Sequence, residues 1–420
     1  MSGLNLTSFD AALKEYYSGQ VVENMVYKNN PFFALVPKRE DFYGDSYPVP
    51  IIIGNPQGRS ATFSRAQVRG QVSSSNLKKF TVTRVHDYGI ATIDNETMLA
   101  SENDKGAFIK AATTEIDGII HSLKRSIAVK QYRSGWGDIG VIAAGGIAGA
   151  VITLATIQDV TNFEIGMELM VAAAQDTGAT RALGTSGNGL IVTAVNRSAG
   201  TVTFGFNVTD ANDGIPLAAA GDYIFQRGDR DTSANPVRLC LSGLDAWLPF
   251  AATVSATLFF GVDRSVDKTR LAGIYYDASA QPIEEGLLDA ISAICREGGA
   301  PDHAFMNNAH YTQLVKALGT KVDYEDLKVG EIGFRALIVN GDTGPVKVLS
   351  DMNCPYGRTY ILQLDTWCHH SLGKPIRVLN PGDGLEMLRQ ASEDGAEVRQ
   401  GYYANLWCEA PGWNGVAKLA

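Results

Sequence analysis

The sequence predicts a mixed α+β chain with a projecting two-stranded arm, a long amphipathic helix and an inserted antiparallel β-domain. Three observations predict it. Two alternating runs, Asp45–Ile53 (DSYPVPIII) and Phe80–Ile93 (FTVTRVHDYGIATI), flank a stretch of turn formers. A pattern of three- and four-residue apolar steps follows over residues 101–133. From 138 to 230, short β-rich runs then alternate with glycine turns.

The arm occupies residues 45–93. Between its two runs, Gly54, Asn55, Pro56, Gly58, Gly70 and Ser73-Ser74-Ser75-Asn76 are turn and loop formers, interspersed with Arg59, Arg65 and Arg69. It has too little apolar sequence for a core of its own, and an isolated two-stranded ribbon is marginal in water. The expectation is therefore an arm that leans on another molecule. The other reading is an ordinary hairpin folded onto its own domain.

The helix has the strongest signals in the chain. Ser101 with Asp104 supplies a cap, Glu102 and Asp104 place negative charge at the positive end of the dipole, and Phe108, Ala112, Ile116, Ile119, Ile120, Leu123 and Ile127 share a face. Lys124, Arg125, Lys130 and Arg133 load the other end, and Gly135 and Gly137 stop it. A helix from Ser101 to Arg133 is about 45 Å long. Gly118, in its middle, suggests a close packing contact or a bend.

In the next segment, β-rich runs at Val151–Leu154, Glu168–Ala172, Leu190–Val195, Thr201–Phe206 and Tyr223–Gln226 are punctuated by Gly166, Gly178, Gly187-Asn188-Gly189, Gly200 and Gly214. This reads as an inserted module, with an extra sheet of the main domain as the alternative. It contains no histidine and no cysteine. Ile139–Ile157 (IGVIAAGGIAGAVITLATI) is uncharged and about long enough to span a membrane. Its apolarity comes largely from Ala and Gly, which favour insertion less than Leu, Ile, Phe and Val do, so no membrane span is expected. The remainder is α/β. Pro282 opens a helix that Gly298-Gly299 end, and strands are expected at His303–Asn307, Phe334–Val339, Val346–Ser350, Thr359–Leu364 and Glu397–Cys408, with a short helix from Ala309 to Leu318.

Composition narrows the function. The 420 residues suffice for two or three domains, and 45% hydrophobic with 19% charged residues are the proportions of a globular protein. A net charge of −9 argues against a general nucleic-acid binder. The five cysteines are scattered, with no Cys-x-x-Cys pair, and read as buried thiols in a reducing compartment. The N-terminus lacks a basic start followed by an apolar stretch, so no signal peptide is expected.

Candidate chemistry is sparse. Cys368-His369-His370 is the one Cys/His cluster, but neighbouring strand residues point to opposite faces. His303 and His310 with Asp302 form a weak metal pattern. Gly140–Gly149 lacks the Lys-Ser/Thr ending of a phosphate loop, and Asp222 and Asp229 beside turns read as caps. No catalytic residue, metal or cofactor is expected.

The order of parts, together with Asn30-Pro31-Phe32-Phe33 leading to Gly44, Gly261-Val262-Asp263-Arg264-Ser265-Val266-Asp267, Asp302-His303-Ala304-Phe305-Met306-Asn307 with His310-Tyr311, and Leu349-Ser350-Asp351 followed by Cys354-Pro355-Tyr356-Gly357 and Trp367, resembles the major capsid protein of tailed bacteriophages. This is the HK97-like fold, in the branch with an inserted domain. The resemblance implies an N-terminal arm over 1–44, an extended hairpin loop over 45–93, a spine helix and part of a peripheral domain over 94–137, the insert over 138–230, and peripheral strands with an axial α/β domain over 231–420.

It also implies a structural function. Hexamers and pentamers of the chain would tile an icosahedral virion shell, assembled in the host bacterial cytoplasm, that encloses double-stranded DNA without sequence-specific binding. A separate scaffolding protein and a portal would be partners, with a decoration protein as a further one and no membrane. Arg59, Arg65 and Arg69 are candidates for inter-subunit salt bridges, the alternative being arginines that keep a loop soluble. Lys78 and Lys79 lie on the arm too, although no covalent cross-link is predicted from them. The rival readings are an encapsulin-type nanocompartment of the same fold, a Cys/His-dependent hydrolase, and a surface adhesin or fibre subunit.

Overall fold

The computed structural model describes residues 29–94, 105–233, 235–319, 323–329, 332–374, 376–379, 387–389 and 394–420, so the cap expected at Ser101 lies outside the described residues. In the arm, Ser46–Gly54 pairs antiparallel with Asn76–Thr83. The return run does not continue as one strand. It breaks at Arg84, and Val85–Asp94 pairs instead with Gly395–Cys408. The cause is a phase slip: Phe80 and Val82 are buried, and the next buried side chain is Val85, not residue 84. A one-residue slip turns the apolar face over, which hands the chain from one partner to another. The stretch between the arm's strands, expected as loop, contains a helix, Phe63–Val72. Its Arg, Gln and Ala are good helix formers, and Gly70 and the serines around it masked them.

The long helix spans Lys105–Lys130, 26 residues or about 39 Å. Ile116, Ile120, Leu123 and Ile127 form its buried stripe. Gly118 is not a close contact, because a Cβ there would meet nothing within 4 Å. The close approach lies across from it, at Gly89 of Val85–Asp94, where a Cβ would fall 2.5 Å from Ile119 Cγ2. The helix ends at Lys130, earlier than expected, and its cations act as ties. Lys130 Nζ sits between Asp87 (2.9 Å) and Asp229 (3.1 Å), and Arg125 reaches Glu164 at 2.7 Å.

Residues 138–226 form a closed six-stranded barrel. Its ring order is Asp138–Ala148, Val151–Leu154, Thr201–Phe204, Leu190–Asn196, Glu168–Ala172 and Tyr223–Gln226, which returns to the first strand. Ile142, Ile152, Leu154, Phe163, Val171, Leu190, Val202 and Ile224 fill its core, which is separate from that of the body. The membrane-length stretch is therefore strand, and among the described residues no helix is long and apolar enough to cross a membrane.

The body has two large sheets, besides the short pair Leu258–Phe259 and Val262–Asp263. In the first, Gly395–Cys408 pairs with Val85–Asp94, Trp367–Ser371, Arg377–Val378 and Met387–Arg389, and Lys38–Arg39 adds a parallel edge beside His369 and His370. The second has seven strands in the order Ile274–Asp277, Gly415–Lys418, Arg358–Leu362, His303–Met306, Gly344–Ser350, Ile332–Gly341 and Asp323–Val329. Helix Ile283–Arg296 presents Leu287, Ile291 and Ile294, and helix Asn308–Leu318 presents Leu314, to a core with Ala304, Met306, Val346, Val348 and Ile361.

Candidate inter-subunit surface

The root of the arm is fixed by its own chain. Its inner face, Val49, Ile51, Ile53, Phe80 and Val82, is buried in the main core. Phe80 meets the rings of Trp247 at 5.1 Å and Phe259 at 6.1 Å. Two polar contacts lock it: Thr81 N–H donates to Phe260 O (2.9 Å), and Arg270 Nη1 donates to Ile53 O (2.7 Å). Phe260 supplies that carbonyl from a left-handed conformation, φ 47°, in the turn between Leu258–Phe259 and Val262–Asp263. On the other side Tyr47 stacks on Trp407 at 5.7 Å, and Phe42 stacks on His370 at 4.7 Å.

Beyond the root the arm loses these supports. Helix Phe63–Val72 has no buried residue. Phe63 is 83% exposed, Val72 74% and Leu77 62%, with Ile52 and Val68 also open. Arg59, Arg65, Arg69, Lys78 and Lys79 all lie on this outer part, exposed, and among the described residues none of the five forms an ion pair. From Ser46 to His86 there are six Lys and Arg and no Asp or Glu, in a chain whose net charge is −9. That one-sided run was readable in the sequence and is the signal that separates the arm from the body. Apolar side chains left in water together with unpaired cations are the composition of a surface open to a partner.

Several of the residues that carry the sequence resemblance meet inside the body. Phe32 packs on Tyr132 (5.6 Å) and Phe305 (5.2 Å), and Tyr132 donates its hydroxyl to Asp351 Oδ2 at 2.8 Å. Tyr132 lies just beyond the long helix, so this knot ties the N-terminal Asn30-Pro31-Phe32-Phe33 and the helix end to the seven-stranded sheet. Asp267 accepts the Arg270 N–H as the cap of the short helix Lys268–Ala272, and buried Trp367 donates to Asn414 Oδ1.

The other candidates are not brought together. Cys368, His369 and His370 are all buried on Trp367–Ser371. Burial pushes the Cys368 thiol up to about 11, the reverse of an activated nucleophile, and lowers His369 to about 3. His370 Nε2 faces Asp41 Oδ1 at 2.8 Å. His303 contacts Asp302 (3.1 Å), whereas His310 is held by Gln313 and accepts the Gly357 N–H (3.0 Å), so the proposed metal set does not form. Among the described residues no cluster of three or more His, Cys, Asp or Glu could hold a metal. Asp222 and Asp229 hold Arg181 and Lys130, ion pairs in addition to any capping role.

No family model and no curated protein matches this chain. Solved structures do. The chain is similar to the cyanophage A-1(L) capsid asymmetric unit, with 10% identity, a TM-score of 0.46, and coverage of 93% of this chain and 92% of the other. It is also similar to the SrpI encapsulin complex of Synechococcus elongatus PCC 7942 (8%, TM-score 0.42, 93% and 88%). The satellite phage P4 procapsid gives 10%, a TM-score of 0.38, and coverage of 96% and 99%. The chain is thus similar, along nearly its whole length, to a phage capsid, a phage procapsid and an encapsulin.

Proposed function

We propose that this chain is a structural shell protein, the major capsid protein of a tailed bacteriophage, whose copies join through the arm as hexamers and pentamers around double-stranded DNA. The carrying observation is the arm itself: a rigid root buried in its own body, and an outer part with exposed Phe63, Val72 and Leu77 and cations without carboxylates. The quoted motifs support the same reading. Arg59, Arg65, Arg69, Lys78 and Lys79 would contact the neighbouring subunit, whose body carries the acidic balance of the chain. Lys105–Lys130 would be the spine, the barrel the inserted domain, and the two sheets the peripheral and axial domains.

Each arm contact is modest, and repetition around a closed symmetry makes the shell stable. Scaffolding, portal and decoration proteins would be separate partners. Negative-stain electron microscopy of the chain expressed alone, and with the products of neighbouring reading frames, tests this. Uniform closed polyhedra are expected, with nucleic acid inside; protein cargo instead would indicate a nanocompartment. A small monodisperse species in both samples would overturn the shell reading.

A further inference from the structure

A cavity of about 460 Å³ lies between the barrel and the body. Asp138, Asp159 and Tyr223 line it from the barrel, and Arg238, Arg264 and Arg358 line it from the body. Its charges fall into two groups. Arg133 pairs with Asp159 at 2.6 Å and with Asp138 at 3.7 Å, and Arg358 pairs with Asp245 at 3.0 Å. These pairs use three of the four carboxylates, and the fourth, Asp176, is exposed. Among the described residues Arg238 and Arg264 have no carboxylate within ion-pair distance.

What these two arginines have instead leaves most of their donors unused. Arg238 donates Nε–H to Ser134 O (3.1 Å) and lies over the rings of Trp136 (4.6 Å) and Phe259 (5.0 Å). Arg264, 8% exposed, donates from Nη1 to Ala246 O (2.7 Å) and Trp247 O (3.3 Å), and lies over Phe259 at 4.0 Å. A guanidinium has five N–H donors in a planar fork, so each residue retains donors with no protein acceptor. Two cations share one aromatic ring, Arg264 buried and Arg238 half-buried, with neither in an ion pair among the described residues, and an anion in the cavity would complete them. Burial lowers Arg238 to about 10 and Arg264 to about 9, with Asp176 and Asp245 opposing the shift from longer range.

We propose that this cavity is an anion-binding site for a phosphoryl-bearing ligand, held by Arg238 and Arg264. Forked guanidiniums match phosphoryl oxygens, which accept several hydrogen bonds at once. The volume lies within the range of small-ligand sites. Trp136, Tyr223, Phe250 and Tyr356 add aromatic walls against which a base stacks, so the phosphoryl group can come from a nucleotide or from free phosphate. The site joins the barrel to the body, so its ligand would brace one against the other.

The test uses the full-length unassembled chain in phosphate-free buffer, by calorimetric titration and thermal melting with inorganic phosphate and with AMP, against sodium chloride at equal ionic strength. Both phosphoryl compounds are expected to raise the melting temperature above the chloride control. Tighter binding of AMP identifies a nucleotide source, and equal binding identifies the phosphoryl group alone. Arg238→Gln and Arg264→Gln should each weaken binding about tenfold or more, as loss of charge-assisted hydrogen bonds does. No shift beyond the chloride control, or unchanged affinity in both variants, would overturn the proposal. Arg238, only partly buried, allows the affinity test whatever Arg264→Gln does.

Discussion

His369 shows what the six-stranded sheet does to a single polar residue. Neither ring nitrogen has a hydrogen-bond partner, and desolvation, reinforced by Lys38 and His370, holds the imidazole neutral with its pKa lowered to about 3. The unfolded value is about 6.5, so between these limits the unfolded chain binds the extra proton. Stability is therefore present above about pH 6.5 and is lost as pH falls toward 3, by at most about 1.4 kcal/mol per pH unit from this group. Urea titrations of the unassembled chain at pH 7 and pH 4.5 should show a smaller loss for His369→Met than for the wild type. Equal losses would mean that the imidazole is solvated. Cys368→Ala removes a buried thiol that serves as packing, and is expected to cost about 1–2 kcal/mol while shells still close in electron micrographs. Residues of this kind were hard to interpret from sequence, because a Cys-His-His run looks the same whether it is catalytic or merely interior.

At the scale of elements, two glycines make opposite predictions. Gly89→Ala would drive a Cβ to 2.5 Å from Ile119 and 3.2 Å from Leu123, separating strand from helix, and should destabilise the chain by about 1–3 kcal/mol. Gly118→Ala, in open space on that helix, should stabilise it by up to about 1 kcal/mol. Paired thermal melts of the unassembled chain check both. Sequence periodicity could show that Gly118 lay in a helix, but not which glycine met a neighbour. The same limit explains the arm. Its alternation was visible, yet the hand-over at Arg84 depends on a strand about 300 residues away. Helix Ile283–Arg296 was easy to see, since Pro282, an apolar stripe and Gly298-Gly299 mark it locally. Helix Phe63–Val72 was not, because no buried stripe accompanies it.

For the whole molecule, the outer part of the arm should matter to assembly and not to the fold. Reversing Arg65 and Arg69 to Glu should leave the melting temperature of the single chain nearly unchanged, as expected for exposed sites. Closed particles should become fewer in electron micrographs, and assembly of the wild type should weaken at high salt if the contact is electrostatic. A wild-type yield of shells from the double variant would remove these arginines from the interface. Excising residues 138–230 is a separate test, since Asp138 and Phe225 are partners on adjacent strands and the cut ends lie side by side. If the barrel only decorates, shells should still close without it. The pairing of Val85–Asp94 with Gly395–Cys408, and of Lys38–Arg39 with His369 and His370, has a further effect during synthesis. The neighbours that steady both ends of the arm's root emerge from the ribosome long after the root itself. A chain still short of these strands therefore carries an arm whose root is only partly anchored, so the root is expected to settle late in folding.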